Sequence, residues 1–464
     1  MTQGILNSNA SRLLLTLLSG LLATPVCAQF GHGLYEFAAL PQSWQLNPAL
    51  RPDARLFVAL PGGTASFHAP TFTLSDVLLP VNNNQSRPDF TSVFEKKSGR
   101  PMDFSFSAQA DWMQIGFAIP GNCYIGIGSG IVLQGNIQLP IDLLRMAQKG
   151  NADNYFEQNS LNMSGMGLSA MAYRQHHLAY SHMFNKNWRL GGRLKYLQGM
   201  VAFNSRDSRF ILNASSDSIR LESDVRIQTA GLPILLSDSG GLDSNLSLVP
   251  SDLVQPSRGS GAGFDLGASF APGDRLNFSF SLTDVGSINW KNDLQAYGGG
   301  PNTYTFSGLN YYVALDSLNN FDEQIQASAD SFLNTLKIKK VAPETFRTAL
   351  RTGFHLAASY QPSPRLQCGG VFSTMRAASG LRSAFSSYLQ WNPGRFLKIR
   401  TSYTFSEGAT AHLGGGLCIK MGPLQCYLIS DNWSLLFLPE RSTLVHAQSG
   451  INLLIGSGTS RRTD

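Results

Sequence analysis

The sequence predicts an all-β protein: a closed antiparallel transmembrane β-barrel of about 14 strands, within a range of 12–16, with an N-terminal hatch and short helices in long loops. Three observations carry this. Greasy and wet side chains alternate strictly in segments of about ten residues or more, the length a tilted membrane strand needs. Tight and open links take turns along the chain. Aromatic residues sit near the ends of the alternating segments, as an interfacial girdle would place them. The expected layout is a signal peptide over 1–28, a hatch over 29–50, the barrel over 51–456 and a tail over 457–464.

The chain begins with a polar stretch containing Arg12, an apolar run from Leu13 to Leu22, and "TPVCAQF", where Val26 and Ala28 suit a signal peptidase. Cleavage is expected after Ala28, with export to follow. Cys27 invites a lipoprotein reading, but Val26 stands where Gly or Ala is wanted before it. The apolar run is too short for a transmembrane helix, and no later stretch is long enough. Charged residues make up 14% of the chain and the net charge is +6, too dispersed to indicate nucleic acid.

The alternation recurs in order. "MDFSFSAQADW" puts Phe104, Phe106, Ala108, Ala110 and Trp112 on one face, and "WRLGGRLKYL" puts Trp188, Leu190, Leu194 and Tyr196 together. "RLNFSFSLTDVG" gives Leu276, Phe278, Phe280 and Leu282; "TFRTALRTGFHLAASY" gives Phe346, Leu350, Phe354, Leu356 and Tyr360. "LRSAFSSYLQW" and "LKIRTSYTF" continue with Leu381, Phe385, Leu389, Trp391, Leu397, Ile399, Tyr403 and Phe405. Tight turns are expected at 120–122, 185–187, 215–218, 272–274, 362–364, 392–394 and 421–423. Open links are expected at 136–163, 204–207, 232–258, 287–345, 376–381, 406–411 and 431–442. Counting every segment, with one strand in 54–72, reaches about 16; merging the pair near 207–231 leaves about 14. Helical patterns occupy 139–151, where Pro140 starts and Gly150 stops a helix, and 319–338, with Phe321, Ile325, Phe332 and Leu336 on one stripe.

At 46–62, "LNPALRPDARLFVALPG", and again at "HLGGGLCIKMGPLQCYLISDNWS" (412–434) and "SGINLLIG" (449–456), the chain resembles a Bacteroidota family of outer-membrane barrels of unknown function. In arrangement that family is similar to FadL-type transporters of long-chain fatty acids and aromatic hydrocarbons. The resemblance implies that Gln29–Leu46 forms the hatch and that Asn47, Pro48 and Ala49 join it to the wall. Trp44 and Gln45 depart from the small-residue run of FadL hatches, and the chain end lacks the terminal aromatic of many barrels.

Two groups of candidate functional residues stand out. Arg189, Arg193, Lys195, Arg347, Arg351, Lys398 and Arg400 share the wet parity and are expected to face the lumen. They suit an anionic head group, but the favoured reading is a salt-bridge network with Asp111, Glu222, Asp224 and Asp265. Phe30, Leu34, Tyr35, Phe37, Leu40 and Trp44 are too apolar for a free tail, which places them inside the barrel or against its rim, with Asn47 and Pro48 at the junction. Other features point to no chemistry. His176 and His177 are strand neighbours and face opposite ways, no GxSxG occurs, and the glycine runs at 259–261, 298–300 and 414–416 lack a phosphate-binding context. Cys418 and Cys426 flank Gly422 symmetrically and are expected directly opposite each other, bonded or free; Cys123 and Cys368 share the greasy parity.

The expected function is passive passage of a small hydrophobic or amphipathic solute across the outer membrane, without cofactor or enzymatic step. Its partners are outer-membrane lipid and the solute. The alternative is a non-enzymatic structural or docking barrel of an envelope or type IX secretion assembly, with an envelope protein as partner. An outer-membrane lipid hydrolase is the third and weakest reading.

Overall fold

The alternating segments pair edge to edge until the sheet meets itself. The computed structural model describes residues 31–457 apart from 38–39, 71–72, 83–84, 89–90, 92, 94–100, 151–154, 157–159, 164–165, 206, 216–217, 233–256, 307–337, 378–379 and 407–410. The signal peptide, Phe30, all but the last residue of the 319–338 helix, and the tail beyond Ser457 therefore lie outside the described residues.

The first stave is broken at Leu60–Pro61 into β1 (Ala54–Ala59) and β2 (Gly62–His68), as a residue without a backbone N–H requires. A separate hairpin, β3 (Leu78–Asn82) and β4 (Gln85–Pro88), follows. Next come β5 (Pro101–Ile119), β6 (Cys123–Pro140), β7 (Leu161–Asn162), β8 (Gly167–Met183), β9 (Trp188–Asn204), β10 (Arg209–Ala214) and β11 (Ile219–Ala230). Then β12 (Gly259–Phe270), β13 (Leu276–Trp290), β14 (Leu294–Phe306), β15 (Lys339–Val341), β16 (Phe346–Ala349) and β17 (Gly353–Ser363). The chain finishes with β18 (Leu366–Ala377), β19 (Gly380–Trp391), β20 (Leu397–Ser406), β21 (His412–Met421), β22 (Leu424–Ser430) and β23 (Leu444–Ser457). The wall is a closed antiparallel barrel of 14 staves, with β1–β2 and β16–β17 each forming one; β23 pairs back onto β1 and β2. The helix expected over 139–151 is α3 (Asp142–Lys149), ended by Gly150 at φ +76°; α1 (Ser43–Leu46) and α2 (Leu74–Val77) are single turns.

The segment 209–230 is not part of the wall. β10 and β11 form a hairpin in a side sheet with β7, β14 and β15, and β11 touches β9 only over Ala202–Asn204. The 215–218 turn thus belongs to the long-loop end, which is why counting it as a wall turn overshoots to 16.

The greasy parity faces outward. Phe278 is 45% exposed and Leu194 67%, and Phe184, Trp188, Tyr360, Trp391 and Phe396 ring the short-turn end. A soluble fold would bury such a surface; a barrel in hydrocarbon presents it.

Parity fails where one strand gains a residue. Asp284, at φ +55°, bulges β13 against β12, and the stave opposite turns a corner at Leu350–Thr352. Above the bulge Phe346 and Leu350 turn inward and pack by Trp290, and Arg347, opposite Asn289, turns outward, contrary to expectation. The final hairpin also differs from expectation. Its turn is Gly422–Pro423, so Cys418 opposes Tyr427 and Cys426 opposes Ile419. The cysteines fall on opposite faces and both are free.

Candidate functional site

Residues 31–37 and 40–50 lie within the ring of staves. Leu34, Tyr35, Phe37, Leu40, Trp44 and Asn47 are all at 0–3% exposure. Lacking a ladder of their own, they bond most of their backbone N–H groups within successive local turns, such as Leu34 to Gly31, Phe37 to Leu34 and Trp44 to Pro41, and wall side chains take up backbone groups that these turns leave over, as burial demands. Asp431 accepts from the Gly31 and Gly33 N–H groups at 3.0 and 2.8 Å. Arg400 donates to the Gly33 and Tyr35 carbonyls at 3.1 and 2.6 Å, with its guanidinium 3.6 Å from the centre of the Tyr388 ring. Arg193 donates to the Trp44 and Gln45 carbonyls at 2.6 and 2.9 Å. Glu36, at φ +56° and buried, accepts from Asn277, Ser279 and the Tyr388 hydroxyl at 2.9, 2.6 and 2.8 Å. Gln42 and Asn452 exchange amide hydrogen bonds.

The Asn47-Pro48-Ala49 corner lies hard against two wall glycines. A Cβ at Gly191 would come within 2.2 Å of the Pro48 carbonyl oxygen, and one at Gly267 within 2.1 Å of Asn47 Oδ1. Asn47 Nδ2 donates to the Phe280 carbonyl and the Tyr35 hydroxyl, both at 3.1 Å. Trp44 packs edge-on to Tyr124, 5.3 Å away, and donates to the Pro48 carbonyl at 2.6 Å.

Two charge networks flank this segment. Buried Asp265 bridges Arg193 at 3.2 Å and Lys195 at 2.8 Å, and Lys195 also reaches Asp284 at 2.6 Å. A buried charge persists only when paired, and this set shares its carboxylates. At Asp431, outside the strands, burial pushes the carboxyl up, but His446, His32 and the Gly33 and Gly31 N–H groups outweigh it and hold it below its usual value. Burial pushes enclosed His32 below its ordinary value, against the pull of Asp431.

Towards the long-loop end the lumen is bridged by arginines. Arg382 reaches Asp103 and Ser105 on β5, and Arg351 donates to the Phe106 and Gly135 carbonyls at 3.3 and 2.5 Å. Their own staves stand nearly opposite β5 in the ring. Between these bars and the N-terminal segment is a chamber of ≈ 160 Å³. Its walls present Gln109, Gln134, Gln175 and Gln448 and the imidazoles of His177, His355 and His446. A larger cleft of ≈ 740 Å³ lies outside the barrel against β11, β14 and β15.

Of the basic residues picked from sequence, Arg193 and Arg400 clamp the N-terminal segment, Lys195 joins the Asp265 network, and Arg351 bridges the lumen. Arg189 donates to the Met183 sulfur at 3.7 Å near the short-turn end, Lys398 sits opposite Cys418 in the ladder, and Arg347 is exposed, bonded to Ser287 at 2.6 Å. Asp224 and Glu222 pair with Arg226 and Arg220 in the side sheet, away from the lumen. Asp111 accepts from Gln45 at 2.8 Å. The sequence reading missed Glu36, Asp431, Arg382 and Asp103; Glu36, a lone carboxylate in an apolar run, was the available signal.

The model described as "Family of unknown function (DUF5723)" matches residues 48–431. The chain belongs to this family. None of the curated proteins matches it. Among solved structures, this DUF5723 chain is similar to the Ralstonia pickettii toluene transporter TbuX, with 10% identity and a TM-score of 0.41 over 90% of this chain and 94% of that one. It is also similar to the Pseudomonas putida toluene transporter TodX, with 10% identity and a TM-score of 0.39 over 92% and 98%. A Pseudomonas aeruginosa FadL homologue gives 12% identity and a TM-score of 0.38 over 93% and 96%. The DUF5723 match begins at Pro48, so residues 31–47 precede it.

Proposed function

We propose that the protein is an outer-membrane barrel with its short turns toward the periplasm, and that residues 31–50 form a hatch over a passage for a small amphipathic solute. The observation that carries this reading is the way the segment is held. It fills the lumen, yet every tie to the wall described above is a hydrogen bond, an ion-assisted contact or packing, so it is separable from a wall that closes without it. The polar chamber beyond it favours a solute with hydrogen-bonding groups over a plain hydrocarbon, which would leave those groups unsatisfied. The mechanism needs no cofactor: solute enters past the loops, rests in the chamber, and passes when the hatch shifts.

A second reading, a docking barrel of an envelope assembly, is favoured by the arginine bars, which close the lumen at a second level. The two separate in one experiment. A variant lacking residues 31–46 is reconstituted in planar bilayers beside the full-length protein. The gate reading expects stepwise conductance from the truncated form and near silence from the intact one, with both showing the heat-modifiable migration of a folded barrel. A folded but silent truncation, together with a copurifying envelope protein, would replace it with the docking reading.

A further inference from the structure

We infer that the chamber between hatch and arginine bars is a binding site for a small, short-chain carboxylate, with Arg351 as its anchoring cation; this rests on the gate reading and narrows its amphipathic solute to that class. Size comes first. At ≈ 160 Å³ the space is well below the roughly 300–1,000 Å³ of sites for drug-sized ligands, so the guest has few non-hydrogen atoms. Charge comes second. Arg193 and Lys195 share Asp265 and Asp284, and Arg382 holds Asp103. Among the described residues Arg351 makes no ion pair; its guanidinium rests on two main-chain carbonyls and lines the chamber. Of the cations that line the chamber, one positive charge is thus left over, on the side chain whose planar fork fits a carboxylate.

The surroundings agree. Ser107 and Gln134, paired across the ladder next to the two carbonyls that Arg351 grips, also line the chamber. His177, at 7% exposure, faces the same space with both ring nitrogens buried and unpartnered. A buried polar group without a partner costs free energy unless a guest satisfies it. Such a lining holds a short hydroxy acid and offers no sleeve for an acyl chain.

Lactate is the probe, followed by saturation-transfer NMR on the detergent-purified full chain carrying Asp431→Asn, which removes the carboxylate gripping Gly31 and Gly33 so that entry is not limiting. The expected result is saturable binding that weakens about tenfold on adding Arg351→Gln, the change expected for one lost charge-assisted contact. Arg351→Lys should fall between, because it keeps the charge and loses the fork. Heat-modifiable migration shows that each variant is folded. No saturable signal, binding indifferent to Arg351→Gln, or displacement by decanoate or inorganic phosphate at concentrations below that of lactate would each overturn the assignment. If Asp431→Asn conducts ions but holds no lactate, the site falls and the gate stands; if it does neither, the gate falls too.

Discussion

Phe278 in the wall is 45% exposed and Phe37 inside it is 0% exposed, and the two residues stand for two ways of holding chain in place. The wall repeats one device, the ladder bond, so each stave is fixed by its neighbours and its outer side chains need only be greasy. The enclosed segment repeats nothing. It is fixed by a set of unlike contacts, Arg400 to two carbonyls, Glu36 to three donors, Asp431 to two amides, each contributed by a different part of the barrel. Damage to the wall should therefore cost the whole fold, and damage to the segment's ties should free the segment alone.

Arg400→Gln should separate the two most strongly. It removes two charge-assisted hydrogen bonds and the stacking on Tyr388, about 3 kcal/mol of docking, and limited proteolysis should cut residues 31–46 while the barrel stays heat-modifiable. Loss of the barrel with the segment would show that the two are one cooperative unit. Leu356→Arg, on the outward parity, should act the other way. A charge facing mid-bilayer costs about 2 kcal/mol, read in a urea titration of the lipid-reconstituted barrel, with the segment's protease protection in the native state unchanged. Acidification should have the smallest effect. His32 has a lowered value in the docked state, so docking weakens as pH falls below the ordinary histidine value of 6.5. Asp431, also lowered when docked, adds to this as pH falls past its ordinary 3.8 and through its docked value. Conductance of the intact protein should rise modestly from pH 7.5 to pH 5 on the His32 share, and His32→Gln should flatten that rise.

The wall was legible because alternation is a local signal that each strand carries alone. It misled where a single inserted residue reversed it, as at Asp284, above which Arg347 left the lumen and Leu350 entered it. The 209–230 hairpin misled for a different reason: a side sheet alternates just as a wall stave does, and only its partners show where it belongs. The final turn was misplaced by half a residue, enough to send Cys418 and Cys426 to opposite faces. In the lumen, apolar content marked Tyr35, Phe37 and Trp44 as residues needing cover. The clamps themselves were hidden because each is a tertiary pairing; Glu36 meets Tyr388 across 352 positions of sequence, and no spacing rule reaches that far.

The bond between Gly31 and Asp431 spans 400 positions, which sets an order of events. The ribosome makes the segment before any stave that grips it, and two of its clamps, Arg400 on β20 and Asp431 after β22, come 367 and 400 positions later. Until they arrive, the pocket that Phe37 and Leu40 share with Cys418, Tyr427 and Ile429 does not exist. Full seating therefore waits for the late staves, and a barrel stalled short of β20 leaves Phe37 and Leu40 without their cover.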